Sequence, residues 1–344
     1  MILLLSVSVY FCFSFKKAEQ EGMEMVKVYK VHASENDYFL VDTTKDFLTM
    51  PQLKELAKRL CDWRTGLLDG ACGLIAVSEA APGNALAKMQ VFDHKGRERT
   101  MCGNGLRAAA RYLSEKNNQE LFQIETMFAN LKAKRAGEFH QNVPAFQVEI
   151  SPVSFDPEAF AARKKDRIID QILPELSETI RFSAVAAPNP HLIAFVDHQT
   201  LISEEFERIA ALVAQPNPLF SQKMILSFVE ILAENELFVR TYEEGMGYTS
   251  TCGTAMCASA LLYDLLYQRR FYEEVTVRNA GGIVKTVVHE NTEGSYWMEL
   301  IGNATITHWM TGENEAFFGD FSGLEIVETG EQAAYIDFLE EMRK

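Results

Sequence analysis

The chain has 344 residues, enough for two domains at ~150 residues each and for cores that need no disulfides. A composition of 47% hydrophobic and 24% charged residues excludes wholesale disorder and collagen-like repeats. The net charge of −15, from 33 basic and 48 acidic residues, argues against nucleic acid as a partner, because binding its backbone relies on Lys and Arg to release counterions.

The six cysteines form neither a disulfide framework nor a CxxC pair, so a zinc ribbon and a thioredoxin-like motif are unsupported and no metal or cofactor is expected. A reducing cytoplasm fits this usage. Residues 2–15 are apolar and are followed by Lys16 and Lys17. This stretch falls short of the ~20 residues that span a bilayer. It also lacks the basic residue before it and the small-residue cleavage site after it that a signal peptide would carry. We read residues 1–24 as an extension outside the fold, with translation starting at Met23 or Met25, and expect no membrane partner.

From Met25 onward, apolar Val26, Val28 and Val31 among Lys27 and Lys30 predict a first strand, and residues 38–41 continue it. Residues 50–60 predict a helix with Pro51 near its start and Leu53, Leu56 and Leu60 on one face. Short strands are expected at 74–77 and 89–92 around a Pro82-Gly83-Asn84 turn. Met101-Cys102-Gly103-Asn104-Gly105 then opens an Ala-rich helix to about Glu115. Strands at 122–125 and 146–150, a helix over 155–180, an extended run at 184–196 and a helix at 202–213 follow. After extended segments at 225–232 and 236–242, Thr251-Cys252-Gly253-Thr254 opens a second Ala-rich helix to about Tyr267. Strands at 274–278, 283–288 and 296–301 close the regular part. Residues 313–344 carry nine acidic and two basic residues. Tyr335, Phe338, Leu339 and Met342 there share one helical face, which fits a helix packed on the body, on a partner subunit, or left in solvent.

The two Cys-Gly helices are an internal echo separated by about one domain length, ~150 residues. A thiolate at a helix N-terminus is stabilised by unpaired N–H groups and the positive end of the helix dipole, and the same groups hold carboxylates. The glycines let the backbone approach a ligand closely. Two such ends facing each other would clamp an amino-acid carboxylate with the α-hydrogen between two sulfurs. One sulfur would take the proton and the other return it on the opposite face, inverting the centre without a cofactor.

The segments 101–107 and 251–254 resemble the two cysteine motifs of diaminopimelate epimerase. Asn36-Asp37-Tyr38-Phe39, Gly70-Ala71-Cys72-Gly73-Leu74-Ile75, Asn189-Pro190-His191 and Tyr242-Glu243-Glu244-Gly245 agree in order and approximate spacing. The resemblance spans about residues 26–311 and implies an α/β (α+β) fold of two pseudo-symmetric domains. Each would be a small, mostly antiparallel sheet or open barrel around a central helix, with the site in the cleft between them. It further implies domains at 25–120 and 121–301, a strand near 302–311 returning to the first, an acidic extension at 312–344 and a homodimer. Cys102 and Cys252 match the acid/base pair, and His191 and Glu243 the polar residues assisting them. Gly103, Asn104, Gly253 and Thr254 match the carboxylate cradle, and Asn36 and Asn189 match substrate-binding asparagines. Cys61, Cys72 and Cys257 read as buried small hydrophobes, and His32, His94 and His198 as surface or packing residues.

The departures concern the far end of the substrate. The family carries an Arg before the second cysteine that grips a distal carboxylate, where this chain has Glu244. Asp93 replaces a usual Asn, and Ile225 falls where another Asn is usual. The resemblance therefore implies a cofactor-independent amino-acid racemase or epimerase acting on a basic amino acid. Diaminopimelate epimerase itself is the alternative, with Arg240 or Arg64 taking the carboxylate. An inactive amino-acid-binding relative is a third reading.

Overall fold

The computed structural model describes residues 25–44, 48–243, 247–249, 251–268 and 270–342, so residues 1–24 and Glu244 lie outside the described residues. Two runs of strands repeat one another. In the first, β1 (Met25–Ala33) pairs antiparallel with β2 (Asn36–Asp42), which runs parallel to β3 (Gly73–Ser78). β3 is antiparallel to β4 (Ala87–Asp93), and β4 is parallel to β6 (Leu121–Glu125). β7 (Asn130–His140) and β8 (Val143–Ile150) complete this run in antiparallel order, and the short β5 (Glu98–Arg99) folds back on β4.

The second run is β10 (Ser177–Ala187), β11 (Asn189–Phe195), β12 (Ile225–Ala233), β13 (Glu236–Glu243), β15 (Glu274–Asn279), β16 (Gly282–Glu290) and β17 (Tyr296–Asn303). It has the same alternation: β11 and β12 are parallel, β13 and β15 are parallel, and the rest are antiparallel. β14 (Gly247–Thr249) folds back on β13 as β5 does on β4. β8 and β17 pair antiparallel and join the runs, while β18 (Thr305–Glu313) returns to pair with β1.

The helices follow from this pattern. Parallel neighbours need a crossover, supplied by α1 (Met50–Cys61) between β2 and β3 and by α3 (Glu204–Val213) between β11 and β12. α2 (Gly103–Asn117) and α4 (Gly253–Tyr263) are the central helices of the two runs. Every residue of α4 is buried, which its uncharged sequence GTAMCASALLY permits, because a helix apolar all round belongs in a core. Leu106, Ala109 and Leu113 of α2 share one apolar core with Met256, Ala260 and Leu261 of α4.

Three expectations change. The helix expected over 155–180 is absent: Pro157–Phe160 form one 3-10 turn, and β9 (Gln171–Leu173) and β10 follow. Ile168, Leu173 and Leu176 are buried there, but the charged run 163–167 offers no apolar face and Pro174 cannot donate to a helical ladder. The second Ala-rich helix is regular only to Tyr263 and then widens into a π-turn over Asp264–Gln268. Strands β6–β8, assigned from sequence to the second domain, pair through β4 with the first run, so we place the division between halves near residue 151.

The acidic tail packs on the body. β19 (Glu325–Glu328) adds to β18, and α5 (Glu331–Met342) buries Tyr335, Phe338 and Leu339. Tyr335 donates its hydroxyl to the Gly281 carbonyl at 2.9 Å. Glu331 accepts from both terminal nitrogens of Arg111 at 2.5 and 2.6 Å and from the Ile306 amide at 2.9 Å. Arg111 lies on α2, so this contact ties the tail to the helix that carries the first cysteine. Glu331→Ala removes two charge-assisted bonds from Arg111, which keeps Glu115 and the Ala304 carbonyl as partners. It should therefore cost about 1–3 kcal/mol, read from urea unfolding midpoints. A midpoint equal to that of the native chain would show that the Glu331–Arg111 contact adds nothing to stability.

Candidate active site

Cys102 and Cys252 are the N-cap residues of α2 and α4, with matching extended backbones (φ −148°, ψ 106° and φ −130°, ψ 102°). The Cys102 sulfur accepts from the Gly105 amide at 3.2 Å and lies 3.0 Å from the Tyr38 hydroxyl. The Cys252 sulfur lies 3.5 Å from the Thr254 hydroxyl. The first turns of the two helices meet at Leu300 on β17. A Cβ on Gly103 would stand 3.0 Å from Leu300 Cδ2, and one on Gly253 would stand 2.6 Å from the same atom and 3.1 Å from Asn104 Oδ1. A side chain at Gly253 would force Leu300 and Asn104 to shift, and one at Gly103 would crowd Leu300 and Ile150. Arg107, fully buried, donates to Asn104 Oδ1 and Ser34 Oγ at 3.2 Å and to the Asn303 carbonyl at 3.3 Å. Burial pulls its pKa down to about 10, which leaves it a cation at neutral pH.

The helix ends open into one cleft of about 800 Å³, part of it open to solvent. Of the residues expected from sequence, Asn36, Asp93, Cys102, Gly103 and Asn104 line it from the first half. Asn189, Glu243, Cys252, Gly253 and Thr254 line it from the second. They occupy equivalent places in the repeat. Asn36 opens β2 as Asn189 opens β11, and Asp93 ends β4 as Glu243 ends β13. Tyr38 sits opposite Gly73 at the start of β3, as His191 sits opposite Ile225 at the start of β12.

His191 is the exception among the expected residues. It shares a strand face with Asn189 but is completely buried, does not line the cleft, and has no hydrogen-bond partner for either ring nitrogen among the described residues. Burial pushes its pKa down to about 3, so the ring is neutral. Arg240 pairs with Glu207 on α3, and neither it nor Arg64 lines the cleft.

Sequence reasoning missed Tyr38, Cys72, His94, Arg97 and Arg99, all of which line the cleft. Cys72 and His94, expected to be packing or surface residues, are half-buried at its wall. Tyr38 and Cys72 belonged to segments already singled out; Arg97 and Arg99 had no local signal, because the β4–β5 hairpin alone brings them there. Arg97 donates from Nε to Asp93 Oδ2 at 2.8 Å, and Asp93 Oδ1 accepts from the Lys95 and Arg97 amides at 2.9 Å. Burial alone would raise the Asp93 carboxyl, but these bonds hold it below its ordinary range. Arg99 donates across the cleft to the Glu243 carboxylate. Among the described residues no three His, Cys, Asp or Glu side chains gather as a metal site, and no helix is long and apolar enough to cross a membrane.

The thiols do not behave as their capping positions alone suggest. Burial raises the Cys102 pKa above the ordinary thiol value despite the bonds from Tyr38 and Gly105. Burial, reinforced by the Glu243 charge, pushes Cys252 up to about 12. For both sulfurs the cost of desolvating a thiolate outweighs the backbone and side-chain hydrogen bonds that favour it.

A pseudo-duplicated α/β body thus brings a cysteine-capped helix from each half to one cleft. Solved structures agree on the fold. A Bacillus anthracis phenazine biosynthesis protein superposes with a TM-score of 0.61 at 17% identity, covering 84% of this chain and 99% of its own. A hydroxyproline epimerase from Agrobacterium vitis superposes at 0.57 and 14% identity, covering 86% and 94%. The sequence model of the family described as diaminopimelate epimerase matches residues 28–153 and 183–306. The diaminopimelate epimerase of Enterococcus faecalis is 54% identical over 319 residues, 92% of this chain and 98% of its own. That of Ligilactobacillus salivarius is 47% identical over 329 residues, 94% and 100%. The chain belongs to the diaminopimelate epimerase family.

Alkylation tests the thiol electrostatics. A raised pKa lowers the thiolate fraction at neutral pH, so inactivation of the ligand-free protein by iodoacetamide should be slower than reaction with free cysteine. It should still be rising above about pH 9, where an ordinary thiol of pKa ~8.5 is levelling off. A plateau below pH 8 would mean that the helix ends prevail over burial.

Proposed function

We propose that this protein interconverts LL- and meso-diaminopimelate by two-thiol proton transfer, with Cys102 and Cys252 as the acid/base pair. The observation that carries the reading is the convergence of two cysteine-capped helix ends on one cleft. The amide groups at Gly103, Asn104, Gly253 and Thr254 are the donors for the reacting carboxylate. Negative charge grows on that carboxylate as the α-proton leaves, and fixed N–H dipoles stabilise such charge most where water is excluded. One sulfur, as thiolate, takes the proton from one face, and the other, as thiol, delivers its own from the opposite face. The sulfurs exchange protonation state in each turnover, and the reverse reaction uses the same groups with roles exchanged. Tyr38, hydrogen-bonded to the Cys102 sulfur, orients it. His191, neutral and buried, acts as a positioning residue behind the second half of the cleft.

Diaminopimelate is favoured over a basic amino acid. The argument for a cationic substrate rested on Asp93 and Glu244, and Glu244 lies outside the described residues. Asp93 offers the cleft no free charge, because the Arg97 side chain and two amides occupy its carboxylate. The curated relatives that match nearly the whole chain are named diaminopimelate epimerases.

Cys102→Ser and Cys252→Ser should each lower kcat for LL-diaminopimelate epimerisation by at least about 10²–10⁴-fold, because a serine hydroxyl is a poor acid and base near neutral pH. Chiral chromatography of the product, with α-deuterium exchange in deuterated water, measures this. Undiminished inversion by either variant would sink the two-thiol mechanism. Faster inversion of lysine or ornithine than of diaminopimelate by the native protein would restore the basic-substrate reading.

A further inference from the structure

Diaminopimelate carries an ammonium and a carboxylate at each end. The helix N-termini account for the reacting carboxylate, and the other enters the same cleft. A carboxylate taken out of water without a cation is strongly disfavoured. Among the described residues the arginines lining the cleft are Arg97 and Arg99, both from the β4–β5 hairpin.

The two are not equivalent. Arg97 is committed to its own hairpin, where it closes the turn on Asp93 through side chain and backbone. Arg99 stands opposite Val91 on β4 and reaches across the cleft, its partner being the Glu243 carboxylate of the other half. Its side chain is 41% exposed and that of Glu243 17%, so the guanidinium is approachable from the solvent side. Arg99 also lies close enough to Cys102 to act on that thiol electrostatically, as Glu243 does on both thiols. The protein thus holds a carboxylate on a guanidinium within electrostatic reach of the reacting centre.

We propose that Arg99 binds the distal carboxylate of the substrate, which displaces Glu243 from it. This assignment rests on the reading of the substrate as diaminopimelate. The exchange conserves charge: one carboxylate leaves the guanidinium as another arrives, and Glu243 is released to face a substrate ammonium. It also accounts for a family member with Glu at residue 244. The cation sits on the first half's hairpin, so recognition of the distal end no longer needs one on the loop before Cys252.

The test compares two ligands that differ by the group in question. Affinities of meso-diaminopimelate and L-lysine, which lacks the distal carboxylate, are measured by calorimetry in Cys252→Ser protein, where inversion is blocked. They are measured again with Arg99→Met or Arg99→Lys added. With Arg99 present, diaminopimelate should bind about 10- to 100-fold more tightly than lysine, as a charge-assisted pair predicts. The ratio should fall toward one in Arg99→Met, and Arg99→Lys, which keeps the charge and loses the planar fork, should be intermediate. In otherwise native protein, Arg99→Met should raise KM for LL-diaminopimelate more than it lowers kcat. Either unchanged affinities or equal weakening of both ligands leaves the ratio unchanged and would overturn the assignment, the second result meaning that Arg99 acts only through Glu243. Native protein that does not invert diaminopimelate would overturn the substrate reading and this assignment with it. Native inversion with an unchanged ratio would overturn the assignment alone. Arg99 sits in a two-residue, partly exposed strand, so thermal unfolding midpoints of the variants should match that of the Cys252→Ser background and separate a binding loss from misfolding.

Discussion

Everything at the site depends on two helix N-termini being allowed to meet. Like ends of helix dipoles repel, and each end leaves N–H groups without partners. Here the first turns close on Leu300 through Gly103 and Gly253, where a Cβ would crowd the contact, with Asn104 against Gly253 and held there by buried Arg107. The unfavourable convergence persists because both helices are locked into one apolar core. Two N-terminal dipoles and their amide donors aimed at one cleft favour an anionic group placed between them.

The duplicated strand order explains why this demand is two-sided. Each half delivers an Asn at the start of one strand, a carboxylate at the end of another and a cysteine at the cap of its central helix. An inverting enzyme needs acid/base groups on both faces of a planar carbon, and a repeated half rotated onto itself supplies that. The duplication is not symmetric where the halves face different parts of the ligand. Tyr38 touches the first sulfur, while its counterpart His191 stays buried without a partner. Asp93 is tied into its own turn, while its counterpart Glu243 reaches across to Arg99.

The parts legible in the sequence were those with a local signature. Cysteine followed by glycine before an Ala-rich stretch marks a capped, buried helix, and both helices lie where that pattern places them. Hydrophobic alternation located most strands. The failures share a physical cause. Residues 155–180 bury Ile168, Leu173 and Leu176 in a cluster shared with α3 and β12, far along the chain, and no local period records that. The stripe on the acidic tail predicted a helix, but partners distant in sequence, Arg111 for Glu331 and Gly281 for Tyr335, decide that it lies on the body. Arg97 and Arg99 look like ordinary surface charges in sequence, and a tight hairpin makes them part of the cleft.

The raised thiol pKa values sharpen the chemistry. A two-base inversion needs one sulfur charged and the other neutral, and a cleft that favoured thiolates strongly would ionise both. Burial prevents this: with Cys252 near 12 and Glu243 close by, a second negative charge is opposed by desolvation and by repulsion together. The same burial keeps a thiolate, once formed, poorly solvated and therefore a stronger base toward the weakly acidic α-hydrogen. In the proposed reaction the charge that offsets this cost comes with the substrate: an ammonium near the sulfurs would favour a thiolate, and a carboxylate would accept from the amide donors at the helix ends.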